Sequence, residues 1–248
     1  MNWNTGFGSL FHRRMIELAD TTTQLSQEPV EQASLLTRRI YDVLAPIYTI
    51  PTLLFHAYGH SAALAASSIE NGMRVLEVAM GSGEMFQRLV EVNRDGQTIG
   101  VDLSPKMAAH SQATARRRFP LVSAECQAAD VRYLPYADRQ FDRVVCCYLF
   151  ELLPTKDVAE TIKELRRVLR PGGRLTTILI AQNKRSFNAM YRVCSKVLPA
   201  FWGRQLDGYV ADLLPQCGFE VDSDRYVQQF FYSSRIVSAT SVEPRANP

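Results

Sequence analysis

Between residues 74 and 181 the hydrophobic pattern alternates between the two-residue period of a strand and the 3.6-residue period of a helix, which leaves few possible folds. Short apolar runs at 74–78, 98–102, 124–128, 141–149 and 174–181 predict strands. Helical patterns at 84–93, 105–118 and 158–169 separate them. The first turns Phe86, Leu89 and Val90 inward, the second has Pro105 in its first turn, and the third is stopped by Pro171-Gly172-Gly173. The run at 141–149 is continuously apolar, as a strand covered on both faces requires. Such alternation predicts an α/β fold with a doubly wound parallel sheet.

The two ends depart from the alternation. Residues 219–227 and 233–241 are strand-like with no helix between them, so they form an antiparallel C-terminal hairpin and bring the sheet to seven strands. Residues 209–216 predict a helix closed by Cys217-Gly218. Near the N-terminus, Ala33, Leu36, Ile40, Val43 and Leu44 share one helical face. Pro46 and Pro51 interrupt it, and 53–68 predicts a second helix. The resulting division is an N-terminal extension and helical lid at 1–70, a core domain at 71–242 with a helix inserted at 183–205, and a tail at 243–248.

The chemistry is expected where the first strand turns. Val75-Leu76-Glu77-Val78-Ala79-Met80-Gly81-Ser82-Gly83-Glu84 is an apolar strand, a glycine-containing turn and a helix start. Gly81 and Gly83 permit φ > 0 and let a ligand approach the backbone. The first amides of the next helix point into the same cleft. The second strand ends in Asp102, a carboxylate placed to accept both hydroxyls of a ribose. A dinucleotide fingerprint calls for glycine at 79, 81 and 84, and the chain has Ala, Gly and Glu. Pyrophosphate binds a helix N-terminus because that end is electropositive, and Glu84 opposes that field. S-adenosylmethionine carries no phosphate, and backbone amides and carbonyls can hold its amino-acid end. The turn therefore favours this methyl donor over NAD.

The motifs that follow carry a resemblance. Glu77-Val78-Ala79-Met80-Gly81-Ser82-Gly83 matches the turn of class I S-adenosylmethionine-dependent methyltransferases except at Ala79. Val101-Asp102-Leu103-Ser104-Pro105-Lys106-Met107, Ala129-Asp130-Val131 with Leu134-Pro135-Tyr136, Phe141-Asp142-Arg143-Val144-Val145, and Glu164-Leu165-Arg166-Arg167-Val168-Leu169-Arg170-Pro171-Gly172-Gly173 follow in the family's order. The chain resembles that family over residues 74–240, which implies a Rossmann-like seven-stranded domain. The resemblance implies that Asp102 holds the ribose hydroxyls and that Asp130 accepts from the adenine amino group. It implies that the Val131 amide reaches the ring and that Leu103 and Met107 flank it. Glu77, Ala79, Gly81, Gly83, Cys147 and Tyr148 then border the methionine moiety. A methyl group at 79 is tolerated if φ is negative; otherwise it narrows the pocket. Tyr148 also reads as a core aromatic. Glu151 reads either as a substrate contact or as a capping carboxylate.

The acceptor is less legible. Tyr41-Asp42-Val43-Leu44-Ala45-Pro46-Ile47-Tyr48 resembles the lid of the branch that methylates quinone precursors and of phosphatidylethanolamine N-methyltransferases, which makes Tyr41 and Tyr48 candidate substrate contacts. Lys184, Arg185, Arg192, Lys196 and Arg204, interleaved with aromatics, suggest peripheral membrane contact through 184–204, or else a solvated basic face. Both clues suit a small-molecule acceptor that is apolar or lipid-like. No His-Asp pair announces a general base, and none is assigned. Among the histidines, His56 and His60, spaced i, i+4, form the pair worth testing.

Other classes are disfavoured. Five scattered cysteines show no metal-ligand spacing, so no metal is expected, and adjacent Cys146 and Cys147 should face opposite ways. A net charge of +3 and Glu151-Leu152-Leu153-Pro154 after the fourth strand argue against nucleic acid. An NAD-dependent oxidoreductase lacks its third glycine. A catalytically degenerate fold serving as a binding module is favoured only by Ala79. No apolar run nears the ~20 residues of a spanning helix, and residues 1–10 do not resemble a signal peptide. The expected location is cytoplasmic, with the inner membrane surface as the alternative.

Overall fold

The computed structural model describes residues 49–182, 188, 191, 204–229 and 232–243, and within them the alternation becomes seven strands, five fully described α-helices and a 3₁₀ turn at Phe150–Leu152. The strands are β1 (Arg74–Val78), β2 (Gln97–Asp102), β3 (Ser123–Ala128), β4 (Phe141–Cys147), β5 (Leu169–Ile180), β6 (Phe219–Gln228) and β7 (Ser233–Ser241). The helices are α1 (Thr49–Ser67), α2 (Glu84–Val92), α3 (Pro105–Arg118), α4 (Thr155–Val168) and α5 (Asp207–Gln216). The candidate helix near 33–44, Tyr41, Tyr48, most of the insertion and the tail beyond 243 lie outside the described residues. Asn188 and Tyr191, the residues described between 183 and 203, are helical.

The sheet order is β3-β2-β1-β4-β5-β7-β6. Strands β3 to β5 run parallel, and β7 lies antiparallel between β5 and β6. From β1 the chain winds outward to β3 and then returns to the other side of β1 with β4. The strand order therefore reverses between β1 and β4. A crevice opens at such a reversal, outside the carboxyl ends of the strands, and open α/β sheets bind ligands there.

The pleat explains the core. Leu76, Val78, Val144 and Cys146 face a cluster closed by α4 and α5, while Val75, Val145, Ile178 and Ile236 face one closed by α1 and α2. Cys146 belongs to the first cluster and Cys147 lies against the second, so the adjacent cysteines do point to opposite faces.

One segment differs from the sequence expectation. The helix does not end at Pro171-Gly172-Gly173. It ends at Val168, and Leu169 already pairs with Phe141. The register shifts between Phe141 and Arg143, so Pro171 and Gly172 form a bulge within β5. Proline lacks a ladder donor and Gly172 adopts φ 73°, and both are tolerated at a bulge. Strand β4 also stops at Cys147 rather than 149, because Tyr148 takes φ 55° and leaves the extended conformation.

Candidate cofactor and acceptor site

The turn after β1 is fixed by hydrogen bonds from three directions. The Met80 amide donates to the Val101 carbonyl (3.2 Å) and the Gly83 amide to the Met80 carbonyl (2.9 Å). The Gly81 amide donates to Asp102 Oδ2 (2.8 Å), and Ser111 Oγ donates to the Gly81 carbonyl (3.1 Å). Gly83, at φ 80°, has a second reason to be glycine: a Cβ there would lie 2.5 Å from Ser111 Oγ. Gly81, at φ 53°, differs, since a Cβ would meet no atom within 4 Å. Its side of the turn faces open space, as a ligand-binding backbone requires. Ala79 takes φ 55°. It thus adopts the left-handed conformation that glycine tolerates and alanine resists by about 1–2 kcal/mol.

Asp102 does more than end β2. Its Oδ2 holds the Gly81 amide and its Oδ1 accepts from the Ser104 amide (2.9 Å). Ser104 in turn caps α3 by accepting from the Met107 amide (3.2 Å). A carboxylate accepts about four hydrogen bonds, so holding the turn is compatible with holding a ribose diol. Leu103 is half-buried beside it, Met107 is fully buried, and Val131 joins the core cluster under α4.

Asp130 is engaged already. Arg132 donates from Nε and Nη2 to its carboxylate (2.7–3.2 Å) and from its backbone amide to Oδ1 (3.0 Å), and Arg132 Nη1 reaches Asp157 (3.0 Å). Burial works to raise the Asp130 carboxyl, but Arg132 holds it below the ordinary value. An adenine amino group would share this carboxylate with Arg132.

The charge around the turn is distinctive. Glu77 on β1 is 1% exposed, and its Oε2 has no hydrogen-bond partner among the described residues. Burial, and then the nearby charges of Asp102 and Glu84, push its carboxyl well above the usual range. Three carboxylates thus converge on a turn with one open backbone face. Glu77 favours its neutral form there, so repelling a pyrophosphate and attracting a cation fall to Glu84 and Asp102. The sulfonium and ammonium of S-adenosylmethionine fit it.

The structure adds partners that sequence spacing did not reveal. Glu84 Oε2 lies 3.5 Å from His60 Nδ1, and its Oε1 accepts from Arg88 (2.9 Å). Tyr148 lies at the end of β4, its hydroxyl 2.9 Å from Ser234 Oγ and 2.8 Å from Gln229 Nε2. Burial pushes both its phenol and the Cys147 thiol well up. Glu151 is buried below, its Oε1 accepting from the Ile180 amide (2.6 Å). Burial, with help from Asp207, raises its carboxyl to about 7 against the pull of that amide. Its own carbonyl accepts from the Arg204 amide (2.8 Å), so Glu151 sits where the inserted segment rejoins the core. Of the expected His56–His60 pair, the His56 side chain lies outside the described residues, and His60 meets Glu84.

Residues 75–173 match the model of a methyltransferase domain family. A 2-phytyl-1,4-naphtoquinone methyltransferase of Nostoc punctiforme is 30% identical over 140 residues, 54% of this chain and 60% of that protein. A ubiquinone/menaquinone biosynthesis C-methyltransferase UbiE of Syntrophotalea carbinolica is 29% identical over 189 residues, 72% of this chain and 76% of that protein. These similarities support a class I S-adenosylmethionine-dependent methyltransferase domain within this chain. The family's cofactor is S-adenosylmethionine. A solved S-adenosylmethionine-dependent methyltransferase of Aquifex aeolicus shares the fold at TM-score 0.63 and 19% identity, over 81% of this chain and 98% of that one. The chain spans about 60% of the length of the Nostoc relative. Among its described residues no helix is long and apolar enough to cross a membrane, and no cluster of His, Cys, Asp or Glu is suited to a metal.

Proposed function

We propose that this protein transfers a methyl group from S-adenosylmethionine to an apolar small-molecule acceptor of the quinone-precursor kind. The observation that carries the reading is the open backbone face of the turn, with the acidic groups Glu84 and Asp102 beside it and the buried Glu77 carboxyl beneath. It suits a sulfonium donor, and the names of the quinone-ring relatives suggest the acceptor. In this reading Asp102 and the 79–83 turn hold the ribose and the methionine moiety. Asp130, the Val131 amide, Leu103 and Met107 surround the adenine, and Cys147 and Tyr148 border the transferred methyl. When bound, the cofactor supplies a methyl group that is already activated. The protein's part is to align the acceptor with it and exclude water.

Residues 1–70, including Tyr41 and Tyr48, would serve as the acceptor lid over the domain at 71–242. The basic segment 184–204 would bring the protein to an anionic surface where an apolar acceptor resides. Isothermal titration with S-adenosylmethionine and its demethylated product tests the first part. Micromolar binding of both is expected, and no heat at high micromolar concentration would overturn it. Labelled-methyl transfer to a reduced naphthoquinone lacking its ring methyl, compared with phosphatidylethanolamine vesicles, tests the acceptor. Label in the vesicles alone would replace the quinone reading with a phospholipid amine. A second reading, a cofactor-binding fold without catalysis, is favoured by the left-handed Ala79. Binding with no turnover on either acceptor would support it.

A further inference from the structure

Cofactor binding does not by itself account for the polar cluster under α1. His60 is 4% exposed, and α1 brings it between two elements of the site. On one side Glu84 Oε2, in the first turn of α2, lies 3.5 Å from its Nδ1. On the other, the Tyr148 ring centroid is 6.3 Å from the imidazole. The approach of α1 depends on the preceding residue. A Cβ at Gly59 would lie 2.8 Å from the Tyr148 hydroxyl and 3.2 Å from Gln229 Nε2. The Gly59 amide also donates to Gln229 Oε1 (3.4 Å). The helix is thus fitted against the end of β4, with an imidazole at the point of contact.

We propose that His60 is the proton acceptor of the transfer, oriented by Glu84, and that the acceptor molecule accordingly carries an acidic ring hydroxyl, as a phenol or hydroquinone does. This rests on the methyl-donor reading of the 79–83 turn. A carboxylate beside Nδ1 keeps the proton on that nitrogen and leaves Nε2 as the basic one. Glu84 is suited to the task. Burial works to raise its carboxyl, but the neighbouring His60 and the hydrogen bond and charge of Arg88 hold it below the ordinary value, so it stays ionised. The 3.5 Å separation is long for a hydrogen bond, and such contacts tighten once substrate is bound.

The neighbouring groups are poorer bases. Burial keeps the Tyr148 phenol and the Cys146 and Cys147 thiols protonated. Glu151 has one oxygen committed to the Ile180 amide. His110 is exposed on α3. The Tyr148 hydroxyl is already engaged by Ser234 Oγ and Gln229 Nε2.

The step balances as follows. The acceptor O–H proton moves to His60 Nε2, and the electron pair it leaves raises the nucleophilicity of the oxygen and of the adjacent ring carbon. That carbon forms a bond to the methyl carbon while the methyl–sulfur bond breaks and its electron pair goes to sulfur. The ring C–H proton then leaves to solvent as the oxygen regains the proton held by His60. One proton is released for each methyl gained. For transfer to oxygen, the proton on His60 is itself the one released.

The test has three readouts on the full chain. Long-range ¹H–¹⁵N NMR of the cofactor-free protein should show His60 as the Nδ1–H tautomer, and Glu84→Gln should abolish that preference. The probe 4-nitrophenol, whose absorbance reports its ionisation, should bind partly as phenolate to the wild type and as neutral phenol to His60→Asn. With reduced naphthoquinone as acceptor, His60→Asn should lower kcat by roughly 10²–10⁴ with an unchanged Kd for S-adenosylmethionine. Charged and titratable groups near His60 are Glu84 and Arg88 on α2 and Tyr148 after β4, with Tyr232 near Tyr148. A kcat within threefold of wild type in His60→Asn, or equal phenolate fractions in the two proteins, would overturn the proposal. If His60→Asn does not fold, the tautomer in Glu84→Gln decides instead. If the wild type fails to bind S-adenosylmethionine, the methyl-donor reading falls, whereas the tautomer and nitrophenol results still judge His60.

Discussion

At the scale of single residues, Ala79 and Glu151 hold the most testable energy. Ala79 occupies φ 55° in a turn whose geometry is imposed by Asp102, Val101 and Ser111 rather than by its own preference. Ala79→Gly removes the left-handed penalty but adds chain entropy to the unfolded state. The net expected gain is about 1 kcal/mol, seen as a higher urea midpoint with an unchanged slope. With the 79–83 turn holding the methionine moiety as proposed, the Kd for S-adenosylmethionine should also fall. Glu151 behaves in the opposite sense. Its carboxyl titrates at about 7 in the folded protein against 4.5 for a free one. The folded state therefore binds this proton more tightly. The stabilisation it brings is complete below pH 4.5 and is lost as pH rises through 7. Glu151→Gln, which keeps an acceptor for the Ile180 amide, should leave stability nearly unchanged at pH 5. At pH 8.5 it should raise stability by about 2–3 kcal/mol. Thermal melts of the two proteins at both pH values measure the difference, and a pH-independent offset would contradict the titration argument.

At the scale of elements, the join between α2 and β2 shows what holds the site's frame. Asn93, just past α2, is fully buried. Its Oδ1 accepts from the Gly72 and Met73 amides (2.9 and 3.1 Å), and its Nδ2 donates to the Met73 carbonyl and Thr98 Oγ1 (2.9 and 3.2 Å). One side chain thereby ties the entrance of β1 to that of β2. Asn93→Ala would strand those groups and should cost about 3 kcal/mol, measurable by urea denaturation. The sequence showed Asp95-Gly96 as a turn but gave no sign of Asn93, because its partners come from another segment. The same physics sorts the rest. Strands β1 and β7 and helix α3 were legible to the residue, because period and turn residues agree there. Pro171-Gly172-Gly173 misled because the same residues that end a helix also make a bulge, and only pairing with Phe141 distinguishes the two. Asp102 was legible from its place after an apolar strand. The contact of His60 with Glu84 was not, since two elements 24 residues apart meet only through the packing of α1 on the sheet. The engagement of Asp130 by Arg132 left a faint signal, two opposite charges two residues apart on a turn.

At the scale of the whole molecule, the sheet holds α1 by its C-terminal end. The last carbonyls of a helix lack partners and carry partial negative charge, and here arginines from the strands supply both hydrogen bonds and charge. Arg143 of β4 donates to the Ser67 and Ser68 carbonyls (3.0 and 3.2 Å). Arg174 of β5 reaches Ser68 Oγ (2.6 Å) and the Ala66 carbonyl (3.4 Å). Farther along, Arg225 of β6 donates to the Ala62 carbonyl (2.7 Å). Ser68 takes φ 48°, a left-handed helix end without glycine, held there by these contacts. Replacing Arg143 and Arg174 together by Ala should release about 2 kcal/mol of docking energy. Amide exchange in α1 should then accelerate by roughly 30-fold, while β1, β2 and β4, with their own ladders, keep their protection. Because α1 carries His60 to Glu84, the loosened helix should also lower kcat for a phenolic acceptor while leaving the Kd for S-adenosylmethionine near its wild-type value. Uniform acceleration of exchange across the sheet would instead mean that α1 and the sheet unfold as one unit.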